Sequence, residues 1–177
     1  MATWIAFFRG INVGGRNILP MRALQALLEE LGCTDVRTVI QSGNVVFRHK
    51  VRQATEMSQT ISQAVLNRFH FAPYVLLMTV DDLKSALASI PFSPTKEDFR
   101  TLQLYFLSAK PTAADLAGLK QIKSASENFE LIGQVFYLHA PEGIGRSKLA
   151  ARVEKLLGVS ATARNWRTAQ KMFELAE

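Results

Sequence analysis

The sequence predicts an α+β protein made of two ferredoxin-like halves in tandem, each reading β-α-β-β-α-β, packed as one unit and followed by a C-terminal helix. Three observations predict it. Short runs rich in aromatic and β-branched residues alternate with stretches whose apolar residues recur at helical spacing. Tight turns at Ser42-Gly43-Asn44 and Gly133-Gln134 each separate two strand-like runs. The order of elements in residues 1–90 recurs in residues 101–177, on the far side of a proline-broken connector at 91–100. The repeat is one of element order and not of residues.

Thr3 to Phe8 reads as the first strand, without a breaker until Gly10. Pro20 suits the first turn of a helix in which Met21, Leu24, Leu27, Leu28 and Leu31 share a face, and Gly32 stops it. Strands at Val36–Gln41 and Val45–Arg48 flank the first tight turn; a helix from about Arg52 to Phe69 buries Met57, Ile61 and Val65; Tyr74–Val80 is a fourth strand. Asp81-Asp82 opens a third helix, which Pro91-Phe92-Ser93-Pro94 ends. The second half then supplies a strand at Thr101–Leu107, a helix at Thr112–Lys123 and hairpin strands at Asn128–Ile132 and Val135–His139. A helix at Ser147–Leu157, a short strand at Val159–Ala163 and a last helix from Trp166 complete it. In this layout the loop after the first strand and the turn between the second and third are expected at opposite ends of their sheet.

Bulk composition narrows the function classes. With 48% apolar and 20% charged residues, the chain is of ordinary globular make-up. No apolar stretch exceeds Tyr74–Met78, far short of a membrane span, and no basic leader or cleavage site precedes the first strand. These features predict a cytoplasmic protein without a membrane partner. The lone Cys33, just past Gly32, reads as a small buried hydrophobe in a reducing compartment. Lysine and arginine outnumber aspartate and glutamate by 21 to 15, and the excess is concentrated. Between Ala140 and Lys171, Arg146, Lys148, Arg152, Lys155, Arg164, Arg167 and Lys171 face only Glu142 and Glu154. Such a field attracts phosphates, nucleic acid or acidic metabolites, and also describes a solvated helix face.

Four stretches carry the candidate chemistry. Arg9-Gly10-Ile11-Asn12-Val13-Gly14-Gly15-Arg16-Asn17 combines glycines that allow close approach of backbone N–H groups with two guanidiniums and two amides. Gly10 and Gly15 are spaced as in a P-loop, yet Arg16-Asn17 stands where Lys-Ser/Thr would hold phosphate and magnesium, which argues against nucleotide hydrolysis. Gln41, Ser42 and Asn44 place polar groups around the first hairpin turn. In Gly143-Ile144-Gly145-Arg146-Ser147-Lys148, Ser147 is expected to cap a helix whose free N–H groups, with two cations, would favour a phosphate. Arg164-Asn165-Trp166-Arg167 opens the last helix; Asn165 suits a cap and Trp166 a core position shared with Ala169 and Phe173. The arginines there oppose the helix dipole, whereas Asp81-Asp82 at the comparable helix of the first half agree with it, so an anion is expected beside them.

Arg9 to Gly15, Gln41 to Phe47 and Thr162 to Thr168 together resemble the signature stretches of the bacterial family called domain of unknown function 1697, and the resemblance extends to Gly143–Lys148 and over the whole chain. It implies an α+β fold of two ferredoxin-like halves and brings no established activity. The candidate ligand-binding residues are therefore Arg9, Asn12, Gly14, Gly15, Asn17, Gln41, Ser42, Asn44, Arg146, Ser147, Arg164, Asn165, Trp166 and Arg167. The expected ligand is a phosphorylated small molecule or nucleic acid. The first half, however, lacks the Lys/Arg-Gly-Phe/Tyr-Gly/Ala-Phe pattern of the common RNA-binding module on such sheets. The alternative is a small-molecule enzyme holding an anionic substrate in a cleft between the halves. His49, His70 and His139 lie far apart without ligand spacing, so neither a metal nor a cofactor is expected, and no catalytic triad is visible.

Overall fold

The computed structural model describes residues 1–39 and 43–177. The chain divides into two compact units, Met1–Ser85 with Lys171–Glu177, and Ala86–Gln170. It is a mixed α+β protein with two four-stranded antiparallel sheets and, among the described residues, six α-helices ending in a C-terminal one.

In unit one, β1 (Ala2–Arg9), β2 (Thr34–Val39), β3 (Asn44–His49) and β4 (Tyr74–Thr79) form a sheet in the order β2-β3-β1-β4. Helices α1 (Met21–Glu30) and α2 (Ala54–Phe69) cover one face, and α3 (Val80–Ala88) follows β4. Alternation along β1 sends Trp4, Ala6 and Phe8 toward Leu24, Leu27 and Leu28 of α1 and Met57, Ile61 and Val65 of α2. The intervening Ile5 and Phe7 are equally buried, so β1 is apolar on both faces, as its unbroken run requires.

The antiparallel register pairs Phe7 with Asn44, and both β1 and β2 run against β3, which lies between them. The exits of β1 and β2 therefore share one end of the sheet, which corrects the expectation of opposite ends. Closeness is direct: the Phe8 N–H donates to the Gly43 carbonyl at 2.8 Å. Gly43 sits at φ +71°, and a Cβ there would lie 2.6 Å from Phe8 Cβ and 2.8 Å from Ile11 Cδ1. Only glycine allows the turn to close against the strand.

Cys33, after α1, is 4% exposed and packs in the unit-one core. Burial raises its thiol pKa to about 11. Since the thiolate is the reactive form, a disulfide reagent at mildly alkaline pH should modify the native protein about a hundredfold more slowly than the unfolded chain. Comparable rates in the two states would show the thiol to be accessible.

Unit two repeats the arrangement with β5 (Leu102–Leu107), α4 (Leu116–Ile122), β6 (Asn128–Ile132), β7 (Val135–His139), α5 (Val153–Leu157) and β8 (Ala161–Asn165), in the sheet order β6-β7-β5-β8. Tyr105, Leu107, Phe136 and Leu138 meet Leu119 of α4 and Val153 and Leu157 of α5. Gly133 and Gln134 form the two-residue turn of the β6-β7 hairpin. Helix α4 starts at Leu116, later than the expected Thr112, and Asp115 is its cap: Asp115 Oδ1 accepts from the Gly118 N–H at 2.8 Å. The final helix, α6 (Trp166–Ala176), buries Ala169, Met172 and Ala176 along one stripe, while Phe173 is half-buried.

Candidate anion-binding site

The residues marked by the sequence fall into two groups, one in each unit. In unit one, Arg9 ends β1, and Asn12, Gly14, Gly15 and Asn17 belong to the loop leaving it, which is a small hairpin secured from within. The turn Val13-Gly14-Gly15-Arg16 has φ +57° and +73° at its two glycines, and the Arg16 N–H donates to the Val13 carbonyl at 3.0 Å. Asn12 donates through Nδ2 to the Leu19 carbonyl at 2.9 Å and accepts at Oδ1 from the Leu19 N–H at 2.8 Å. Asn17 donates through Nδ2 to the Gly10 carbonyl at 2.8 Å. Both amides thus serve the backbone. Asn44 does the same: it is fully buried, and its Nδ2 donates to the Val39 carbonyl at 3.3 Å. Arg9, Gly14, Gly15 and Arg16 are exposed. Gln41 and Ser42 lie outside the described residues.

Unit two collects its polar segments at one end of its sheet. Asn128 pairs with His139, His139 with Leu102, and Gln103 with Asn165. The segments entering β5 and β6 and those leaving β7 and β8 therefore share that end. Between the segment entering β6 and the one leaving β7 lies a cleft of about 300 Å³, lined among others by Lys123, Ser124, Glu127, Glu142, Arg146, Ser147 and Lys148. Its volume is at the small end for a ligand pocket.

Most polar groups of the cleft are already engaged. Lys123 Nζ donates to the carbonyls of Glu127 at 2.9 Å and Ser124 at 3.4 Å. The buried Glu127 accepts from the Ser124 N–H at 2.8 Å, and Glu142 from the Ser126 hydroxyl at 2.8 Å. Arg146 and Lys148 are different: both are exposed, and neither has an ion-pair partner among the described residues.

No helix opens at Ser147, contrary to expectation. Ile144–Arg146 and Ala150–Arg152 are short 3-10 turns, and the α-helix begins only at Val153. Ser147 Oγ accepts from the Ala150 N–H at 2.9 Å, while its own N–H donates to the Ile144 carbonyl at 3.2 Å. The N–H groups of Arg146, Ser147, Ala150, Ala151 and Arg152 are bonded within these turns, which leaves fewer amide donors than an open helix start would present.

At the other edge of this end, Arg164 turns inward and donates from Nη1 to the Ala163 carbonyl at 2.8 Å. Burial pulls its guanidinium pKa down to about 10, which leaves it a cation at neutral pH. Asn165 Oδ1 accepts from the Thr168 N–H at 2.8 Å and caps α6, as expected of it. The Trp166 ring lies against Phe99, with centroids 4.8 Å apart and planes inclined by 37°. Arg167 is exposed.

One pair escaped sequence reasoning altogether. His139 Nε2 meets Asp98 Oδ1 at 2.8 Å across 41 positions of sequence. Asp98 also accepts from the Thr95 N–H at 2.7 Å and its hydroxyl at 3.1 Å. The Thr95 backbone bond, then its hydroxyl and His139, hold the Asp98 carboxyl below its ordinary range against the opposing effect of burial. The only signal was the Thr95-x-x-Asp98 capping box, which marks a turn and not a histidine partner. Among the described residues, no cluster of three or more His, Cys, Asp or Glu side chains is placed to hold a metal ion, and no helix is long and apolar enough to cross a membrane.

Comparison with known proteins agrees with this geometry at the level of fold. The chain is similar to the conserved bacterial protein SP0830 from Streptococcus pneumoniae, at 20% identity over 99% of both chains and a TM-score of 0.70. No curated protein matches it. A family model described as protein of unknown function (DUF1697) matches residues 1–137, which leaves the Gly143–Lys148 and Thr162–Thr168 stretches outside the matched span. With that match over most of its length, the chain belongs to the DUF1697 family.

Proposed function

We propose that each unit is a ferredoxin-like lobe and that the protein binds a phosphorylated, anionic ligand at the polar end of unit two. The lobe reading is supported by the order β2-β3-β1-β4 and its repetition as β6-β7-β5-β8, with every neighbouring pair antiparallel. The ligand reading rests on one observation: Arg146 and Lys148 stand at a cleft in which Lys123, Glu127 and Glu142 are already engaged, and neither cation has a carboxylate partner among the described residues. A phosphate can supply the missing charge, bidentate to the guanidinium and as a point contact to the ammonium.

Isothermal titration with inorganic pyrophosphate and with a nucleoside triphosphate provides the test. Saturable binding should weaken by roughly ten- to a hundredfold in Arg146→Ala, if one charge-assisted hydrogen bond worth about 1.5–3 kcal/mol is lost. Lys148→Ala should weaken it less. Neither substitution should lower thermal stability, because both side chains are exposed and make no ion pair with a described residue. Equal binding by the wild type and the double variant would remove the cleft from consideration.

A further inference from the structure

We propose that the Phe99-Trp166 contact is a base-stacking platform for single-stranded nucleic acid. It rests on the reading of this end of unit two as anion-binding and names the class of ligand. Both residues are half-buried, so part of each stays open to solvent although their rings touch each other. Cations stand on both chain segments that make the contact. Arg100 follows Phe99 directly, and its carbonyl accepts from Gln103 Nε2 at 2.9 Å, beside the β5-β8 pairing of Gln103 with Asn165. Arg167 follows Trp166. Both arginines are exposed and have no ion-pair partner among the described residues.

That combination suits a nucleic-acid strand better than a free phosphate or an acidic peptide. A phosphate has no use for an aromatic face, and a peptide carboxylate does not require two rings beside its cation. A nucleotide unit has both a flat face to stack and a charge next to it. Arg167 also lies in the first turn of α6, where a cation opposes the helix dipole and an approaching phosphate relieves the conflict. The cleft with Arg146 and Lys148 leaves the same end of the sheet, and His139 and Asn165 are separated by two strand spacings, roughly 10 Å. A strand held by a base at Trp166 thus has further cations at that end toward which its backbone can run. Stacking on aromatics tolerates any sequence, so the predicted preference is for unpaired strands and not for a particular motif.

Trp4 and Trp166 are the only tryptophans. Trp4 is buried, and its indole N–H has no partner among the described residues, so Trp4→Phe loses no hydrogen bond and leaves fluorescence to Trp166 alone. In that full-length background, a short oligouridylate should quench Trp166 saturably. An abasic strand of equal length should bind more weakly by roughly 5- to 150-fold, the worth of one stacked base, and quench little. Measured by anisotropy of the labelled oligouridylate, Trp166→Ala should fall to the affinity of the abasic strand, whereas Trp166→Phe should keep most of the wild-type affinity. Arg100→Ala and Arg167→Ala should each lower the slope of log affinity against log salt by about 0.7. Equal affinity for base-bearing and abasic strands, or duplex bound as tightly as single strand, would overturn the proposal. Pyrophosphate binding that depends on Arg146, without any base-dependent quenching, would defeat this inference alone; loss of both would defeat the anion reading as well.

Discussion

Replacing Gly43 with alanine should destabilise the protein by about 2–5 kcal/mol, a large share of the roughly 5–15 kcal/mol typical of a folded protein. Two costs add. An L-residue at φ +71° sits in the left-handed region, at about 1–2 kcal/mol, and the new methyl must displace Phe8 Cβ and Ile11 Cδ1 at 2.6 and 2.8 Å, at a further 1–3 kcal/mol or so. Phe8 Cβ is attached to the backbone of a central strand and has little room to yield. Gly14→Ala separates the two costs, because Gly14 has φ +57° but a methyl group added there would meet no atom within 4 Å. Only the conformational cost, about 1–2 kcal/mol, should appear there. Urea denaturation of both variants measures the difference. Similar midpoints for the two would mean that the close approach at Gly43 is relieved without cost.

Truncation after Gln170 should be at least as damaging. The removed segment, Lys171–Glu177, belongs to unit one together with Met1–Ser85 and carries Met172 and Ala176, which are 0% and 7% exposed. Met172→Ala alone should cost about 2–5 kcal/mol through the cavity it leaves. Loss of the whole segment should lower the thermal midpoint of unit one by more than about 10 °C, on the basis of roughly 2–4 °C per kcal/mol at this chain length. Trp4, in the unit-one core, supplies a fluorescence signal for that transition. An unchanged midpoint in the truncated chain would show that the segment adds no stability.

Much of the fold was legible in the sequence because hydrophobic period and turn chemistry are local. The run Thr3–Phe8, the two-residue turn at Gly133-Gln134 and the stripe of Leu24, Leu27 and Leu28 each announce an element without help from the rest of the chain. Errors arose where local pattern underdetermines structure. Leu149, Val153 and Leu157 are buried at helical spacing, as a helix from Ser147 would place them, but the chain reaches Val153 through 3-10 turns that keep the same side chains inward. The expected separation of the β1 loop and the first hairpin turn failed on strand direction, since β1 and β2 run parallel with β3 between them.

The candidate site was less legible than the fold. Asn12, Asn17 and Asn44 were recognisable as polar residues in tight turns, but residue type does not say whether an amide faces outward to a ligand or inward to a carbonyl; here each donates to a backbone carbonyl of its own unit. The partners that matter at the end of unit two are distant in sequence: Asp98 for His139, and Phe99 for Trp166. Only the paired register of β5 with β7 and β8 brings the connector to those residues. Asn165 is the exception, because a cap acts on its own helix and needs no tertiary context.

The division of the chain also bears on the order in which it can be completed during synthesis. Unit two, Ala86–Gln170, is continuous, while unit one takes its final piece from Lys171–Glu177. A ribosome therefore releases every residue of unit two before it releases the last of unit one. Domains commonly fold from the amino end as they emerge. In this chain the four strands of the first sheet are all made by Thr79, yet unit one as a whole is completed only when Lys171–Glu177 follow the last residue of unit two.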